Sequence, residues 1–257
     1  MSSIDVRELC GQIADSRRNR TPRGSLSETG SLPLDVAYQV QATMAREREA
    51  AGDSIIGYKL GLISPDKQRQ MGVSEPIIGH VHRSMIINPG EPVRRDRFIQ
   101  PRMEPELAVV FGRPVGEGAR PGQIAAAIDF VLLVIDVLDS IYAGYRFTAG
   151  DVVADNASGG AVVVGSRVLP ADVLFDGDDR RLRLLTGRTW HGGSVDSLGD
   201  PIGWIAWAAD KAASLGRGVR RGDMLLLGSP CPAVPLPEAG PLLAEGPLGS
   251  HVLARVE

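Results

Sequence analysis

The chain has 257 residues, 43% of them hydrophobic, and carries a formal net charge of −3 from 28 basic and 31 acidic side chains. That is enough for one large core, or one domain with a helical appendage, and no stretch has the uninterrupted apolar length of a membrane span. The interspersed charges form no basic footprint, which argues against nucleic acid and anionic membranes as partners and for a small soluble substrate.

Residues 6–17 place Val6, Leu9, Cys10 and Ile13 at helical spacing, and a polar loop follows through Ser31. Residues 34–51 read as a longer helix whose apolar face runs through Val36, Val40, Met44 and the alanines, stopped by Gly52. Residues 54–62 look like a strand with glycines where backbones come close. Residues 64–71 form a short helix with Pro65 in its first turn and Gly72 after it. Beyond a strand around Glu104, residues 121–127 open a helix, and 128–138 form an almost continuous apolar run, as in a strand covered on both faces. Residues 161–168, 181–185 and 224–227 are further strands, and 204–215 a helix led by Asp200-Pro201 and closed by Gly216. Without regular strand-helix alternation, the pattern predicts an α+β or β-rich fold rather than a doubly wound sheet. Cys10 and Cys231 lack metal-ligand spacing and read as free thiols of a reducing compartment; with no apolar signal core at the amino terminus, the expected location is cytoplasmic.

The chemistry concentrates in Gln100-Pro101-Arg102-Met103-Glu104-Pro105-Glu106-Leu107. On a strand, period-two alternation puts Glu104 and Glu106 on one face, where two carboxylates repel and call for a cation. Two readings follow: a solvated edge paired with Arg102 or Arg97, or donors for a hard divalent metal. Pro105, which lacks a backbone donor, suits an edge or the mouth of a sheet. Asp136 is the acid embedded in the apolar run and needs a partner, either an arginine or a cation shared with the two glutamates. Oxygen donors of this kind favour Mg²⁺ or Mn²⁺. Lys59 is either a plain surface lysine or, if it faces inward, a desolvated one with a lowered pKa. Asp155-Asn156-Ala157-Ser158-Gly159-Gly160 is either an ordinary turn or a cradle for a carboxylate. The four histidines show no metal spacing, and there is neither a nucleophile elbow nor a phosphate loop.

Several ordered segments together resemble a known family: Gly57-Tyr58-Lys59-Leu60-Gly61-Leu62, Met71-Gly72-Val73, Phe98 to Leu107, Val152-Val153-Ala154-Asp155-Asn156-Ala157-Ser158 and Gly222-Asp223-Met224-Leu225-Leu226-Leu227-Gly228-Ser229. The chain is similar to the hydratase/decarboxylase branch of the fumarylacetoacetate hydrolase superfamily, the 2-oxopent-4-enoate hydratases and 4-oxalocrotonate (2-oxo-3-hexenedioate) decarboxylases. The resemblance implies an α+β fold with a mixed β-roll core over residues 54–257 and an N-terminal helical arm over 1–53. It implies a divalent metal held by Glu104, Glu106 and Asp136, an active-site lysine at Lys59 and a substrate-contacting serine at Ser158. It also implies a lyase of aromatic catabolism acting on a small 2-oxo acid, homo-oligomeric and able to associate with a partner hydratase.

Within the branch, Pro76-Ile77-Ile78-Gly79 resembles the decarboxylase pattern, because hydratases carry Asp where Ile77 stands and an aliphatic side chain cannot activate water. The expected reaction is decarboxylation of a 2-oxo-alkenoic diacid. The metal chelates the 1-carboxylate and 2-oxo group and stabilises the dienolate, Lys59 balances charge or relays a proton, and Ser158 holds the carboxylate end. Two positions depart from the family: the third ligand is Asp136 rather than Glu, and Ile141 follows Asp139-Ser140 where Arg is usual. Those departures keep a biosynthetic relative acting on another 2-oxo acid and a non-catalytic subunit as alternatives, beside a hydratase that would need another water-activating group in place of the one missing at Ile77.

Overall fold

The computed structural model describes residues 5–26, 32–175 and 180–257. The loop expected through Ser31 therefore lies partly outside the described residues. Helix α1 (Val6–Asn19) starts at Asp5, whose carboxylate accepts from the Arg7 and Glu8 backbone N–H groups, and buries Leu9, Cys10 and Ile13. It packs on α2 (Leu34–Ala50), whose buried face is Ala37, Tyr38, Val40, Gln41 and Ala45. Val40 and the alanines Ala37 and Ala45 of the expected face are buried, while Val36 and Met44 are only partly covered, because the helix turns its buried side towards α1 and towards the Ile78 and Val153 carbonyls, to which the Gln41 side chain donates.

Strand β1 (Ile55–Gly61) leads to α3 (Pro65–Met71), β2 (Ile77–His82) and the two-residue β3 (Ile86–Ile87). Strand β4 (Arg102–Phe111) is followed by α4 (Pro121–Ala127), β5 (Ile128–Leu138), α5 (Ala149–Ala154) and β6 (Gly159–Leu169). After β7 (Arg181–Thr186), β8 (Thr189–Ser194) and α6 (Pro201–Ser214) come β9 (Met224–Leu226), β10 (Val234–Pro235), β11 (Gly240–Gly246) and β12 (Ser250–Val256). The order of the larger, mixed sheet is β2-β1-β9-β4-β5-β6-β3, with β10 also on β4; β12-β11-β7-β8 form a second, antiparallel sheet. The result is the α+β half-barrel with preceding helices that the sequence implied.

The two faces of the larger sheet differ in content. One face, with Tyr58, Leu60, Ile78, Met103, Leu107, Leu133, Ile135 and Val137, joins the main core under the helices and the second sheet. The other carries a small patch of Val81, Ala108, Val134, Val162 and Leu226. By alternation and register it continues into Lys59, Glu104, Glu106 and Asp136.

Pro105 is not on an edge strand: β4 lies in the middle of the sheet. Its far side, however, pairs with β9 only over Ala108–Val110 and with β10 only over Arg102 and Met103. Pro105 falls in the gap between them, where no strand asks for its missing N–H.

Candidate active site

The acidic cluster is a product of strand register. Glu104 on β4 stands directly opposite Asp136 on β5, so the two side chains share a face, and Glu106 follows two residues on. One carboxylate oxygen from each lies within 4.8 Å of the others. Lys59 comes from β1, across β9, where it is in register with Leu226. It faces inward and is 1% exposed, so the surface reading of this residue is wrong.

The expected arginine partners are not there. The Lys59 ammonium pairs with Asp136 Oδ2, and the Gly228 N–H donates to Glu106 Oε2 at 2.8 Å. Asp136 Oδ1 and Glu106 Oε1 are buried without a hydrogen-bond partner. Such atoms are costly to leave bare, and their presence marks a place for a further cation or donor. Burial pulls the Lys59 pKa down, but the carboxylates of Asp136, Glu106 and Glu104 outweigh it and hold the ammonium above its ordinary value. In the metal-free protein the lowered pKa expected for a desolvated lysine is thereby corrected, and Lys59 is an ammonium paired with Asp136. Burial, then Asp136, push the Glu104 carboxyl up to about 7. Burial, Asp136 and Glu104 raise Glu106 well above the usual carboxylate range. Three acids against one lysine leave excess negative charge in a nearly dry place, and an all-oxygen donor set of this kind fits a hard divalent ion.

Ser158 belongs to an unusual turn. Asn156, Ala157 and Ser158 are consecutive non-glycine residues in the left-handed region, with φ of 53, 54 and 55°. Each costs on the order of 1 kcal/mol, so the surroundings must enforce the shape. The Asn156 side chain accepts from the His80 N–H at 2.7 Å and donates to the His80 carbonyl at 2.9 Å. The Ser158 carbonyl accepts from the Asp139 N–H at 2.7 Å. Asp155 is fixed by Arg17 at 2.6 Å and by the Ile141 N–H at 3.0 Å. Arg17, on the first helix, also reaches Asp139 at 2.8 Å, a link across the chain that the sequence pattern did not reveal. Gly79 makes room below: a Cβ there would lie 2.7 Å from the Asn156 carbonyl oxygen. The turn leaves the Ser158 hydroxyl buried and without a partner.

Lys59, Glu104 and Ser158 line one cleft of about 620 Å³, together with Ile77, Lys67, Arg102, Tyr145 and Arg146. Ile77 is buried and apolar in its wall, as its side chain requires. Sequence reasoning named Arg102 only as an ion-pair partner and missed Lys67, Tyr145 and Arg146; nothing local links those residues to the acids. Ile141, where the family pattern has a cation, is fully buried in the core, and Arg17 supplies the charge beside Asp139 and Asp155.

Residues 42–248 match the family model described as fumarylacetoacetate (FAA) hydrolase, C-terminal. The chain is 34% identical over 207 residues to a 2-keto-4-pentenoate hydratase of Burkholderia vietnamiensis, covering 80% of this chain and 79% of that one. It is equally 34% identical, over 203 residues, to a 4-oxalocrotonate decarboxylase of Pseudomonas putida, covering 77% and 76%. Among solved structures it is similar to 4-oxalocrotonate decarboxylase from Pseudomonas putida G7, complexed with magnesium and adipate. The TM-score is 0.90 at 29% identity, over 99% of both chains.

Proposed function

The chain belongs to the fumarylacetoacetate hydrolase C-terminal family, and on that premise we propose that it is a metal-dependent lyase that decarboxylates a 2-oxo-alkenoic diacid of the 2-oxo-3-hexenedioate type. The observation that carries the reading is the convergence of Glu104, Glu106 and Asp136, two of them with bare buried oxygens, beside a cleft walled by aliphatic Ile77. These three side chains would hold Mg²⁺ or Mn²⁺, which when bound supplies Lewis-acid stabilisation to a 2-oxo acid as negative charge develops on it.

The protein's own residues account for the rest. Lys59, paired with Asp136, offsets part of the negative charge of the ligand set and orients that side chain. The Gly228 N–H fixes one oxygen of Glu106 and leaves the other for the ion. The unpartnered Ser158 hydroxyl, presented by a rigid turn, donates to a carboxylate oxygen of the substrate. Ile77 offers no base to deliver water to an alkene and keeps that wall dry, which favours loss of CO₂ over hydration.

A hydratase of 2-hydroxypenta-2,4-dienoate is the second reading, supported by equal identity to relatives of both names. Incubation with 2-oxo-3-hexenedioate and Mg²⁺ should release CO₂. No release, with turnover of 2-hydroxypenta-2,4-dienoate instead, would reverse the assignment. Cytoplasmic location belongs to the same proposal, supported by two free cysteines. So does homo-oligomerisation, supported by the exposed Trp190 and Leu253 at the two ends of a cross-strand row through Leu185 and Leu243 on the second sheet. Association with a partner hydratase is part of the reading by likeness to the branch, and co-elution of the two proteins tests it.

A further inference from the structure

The cleft holds a cation that the metal site does not use. Lys67 and Arg146 are exposed at its mouth, but Arg102 is half-buried in its wall. The Arg102 guanidinium has no carboxylate partner among the described residues and lies 4.2 Å from the centre of the Tyr145 ring. Tyr145 is itself held: its hydroxyl donates to the Leu138 carbonyl at 3.1 Å, and its backbone sits at φ 59°. The ring is therefore a rigid platform that positions the guanidinium by cation–π contact while leaving its N–H fork free. A half-buried arginine with donors unspent is a site for a planar anion.

The backbone spacing along β4 gives the scale of that anion's carrier. Arg102 and Glu104 share a face of β4 two residues apart, about 7 Å along the strand. That is of the order of the end-to-end length of an extended six-carbon diacid. We propose that Arg102 is the specificity residue that receives the distal carboxylate of a diacid whose 2-oxo acid end lies at Glu104, Glu106 and Asp136. This inference rests on the proposed diacid reading and adds to it the residue that selects for the second carboxylate.

The chemistry gives it a signature. When the carbon–carbon bond to the distal carboxyl breaks, its electron pair stays with the substrate carbon framework and the carboxylate leaves as neutral CO₂. The guanidinium keeps its protons throughout, and a proton from solvent later replaces the lost group. An ion pair to Arg102 is thus strong in the bound substrate and fades towards the transition state, so it lowers KM and does not raise kcat.

The test compares the full-length protein with Arg102→Gln and Arg102→Lys, all with Mg²⁺. Calorimetry with adipate and hexanoate should show the parent favouring the diacid by about tenfold or more, the size of one charge-assisted pair. Arg102→Gln should erase that preference and Arg102→Lys keep part of it, with Tm essentially unchanged. In turnover, Arg102→Gln should raise KM for 2-oxo-3-hexenedioate about tenfold with kcat equal or higher. A preference for adipate that survives in Arg102→Gln, or no preference in the parent, overturns the proposal. If the preference follows Arg102 but no CO₂ is released from the diacid, the reaction reading fails and the assignment of this residue stands.

Discussion

Glu106→Gln removes one charge at almost constant volume from the most buried glutamate of the cluster, and its effect should have opposite signs with and without metal. The interacting oxygens lie within 4.8 Å of one another, so at an effective dielectric of 20 each like pair costs about 3 kcal/mol. The substitution deletes two such repulsions, with Glu104 and Asp136, and one comparable attraction to Lys59. The net gain for the metal-free fold is therefore at most about 3 kcal/mol, or up to ~10 °C in Tm for a chain of this size. It should grow with pH, because Glu106 with its raised pKa is already partly neutral at low pH. Against Mg²⁺ the same change removes one of three anionic ligands. Since altering a mere outer partner of a ligand costs 10–100-fold, affinity should fall by more than about 100-fold. Differential scanning fluorimetry in EDTA at several pH values, with calorimetric titration of Mg²⁺, reads both effects. A variant that is less stable without metal, or that binds Mg²⁺ as well as the parent, would refute the electrostatic account.

Three further outcomes follow from the same geometry. Glu104 has a folded-state pKa of about 7, above its ordinary 4.5, so the folded metal-free protein holds the extra proton. The stability that Glu104 contributes should be full below about pH 4.5 and be lost, by about 3 kcal/mol, as pH rises through 7; Glu106, raised well above its ordinary value, extends the decline, and Mg²⁺ should cancel the loss in urea melts at each pH. A metal-free protein whose stability does not fall across that window would contradict the raised value. Lys59→Met strips Asp136 of its buried partner, which should cost the metal-free protein about 3 kcal/mol or more by urea unfolding. The same variant should lose turnover while still binding Mg²⁺, because the three carboxylates remain; loss of Mg²⁺ binding altogether would show that Asp136 cannot serve as a ligand without Lys59. Gly79→Ala forces a Cβ to within 3.0 Å of Ala157 and closer still to the Asn156 carbonyl, so the turn must shift and carry Ser158 with it. A drop in kcat of about tenfold or more is expected, with Mg²⁺ affinity unchanged, and unaltered kcat would remove Ser158 from the mechanism.

What the sequence made legible was local. The β4 and β5 pair could be read because alternation around Glu104 and the apolar run holding Asp136 are properties of a few neighbouring residues. Helices α4 and α6 were marked by proline at their first turn, and α6 also by the Asp200 cap. By contrast β2, β3, β8, β10, β11 and α5 were missed because they are short, bounded or interrupted by glycine, or close to turn residues. Strand β12 alternates cleanly between buried and exposed residues and carried a usable signal that was passed over.

The site shows the same division. The resemblance supplied the ligand set, and the structure brings those side chains together, but the inward face of Lys59 depends on its pairing through β9, over 160 residues away in the chain. The left-handed turn at Asn156–Ser158 is enforced by His80, Asp139 and, through Asp155, Arg17, none of them near in sequence. The Arg102 platform needs Tyr145, which a strained loop delivers from beyond β5. Long-range enforcement of unfavourable local geometry leaves no periodic trace, which is why these parts were not legible.

The central claim is that Glu104, Glu106 and Asp136 enclose one divalent ion at the floor of the cleft. Crystals soaked with Mn²⁺ and a 2-oxo acid, measured for anomalous scattering, test it most directly. The account predicts a single strong peak among the three carboxylates, with Asp136 Oδ1 and Glu106 Oε1 as ligands and the oxo acid turned towards Ser158. A peak elsewhere, or no peak while both oxygens stay bare and Lys59 keeps Asp136 to itself, would contradict it.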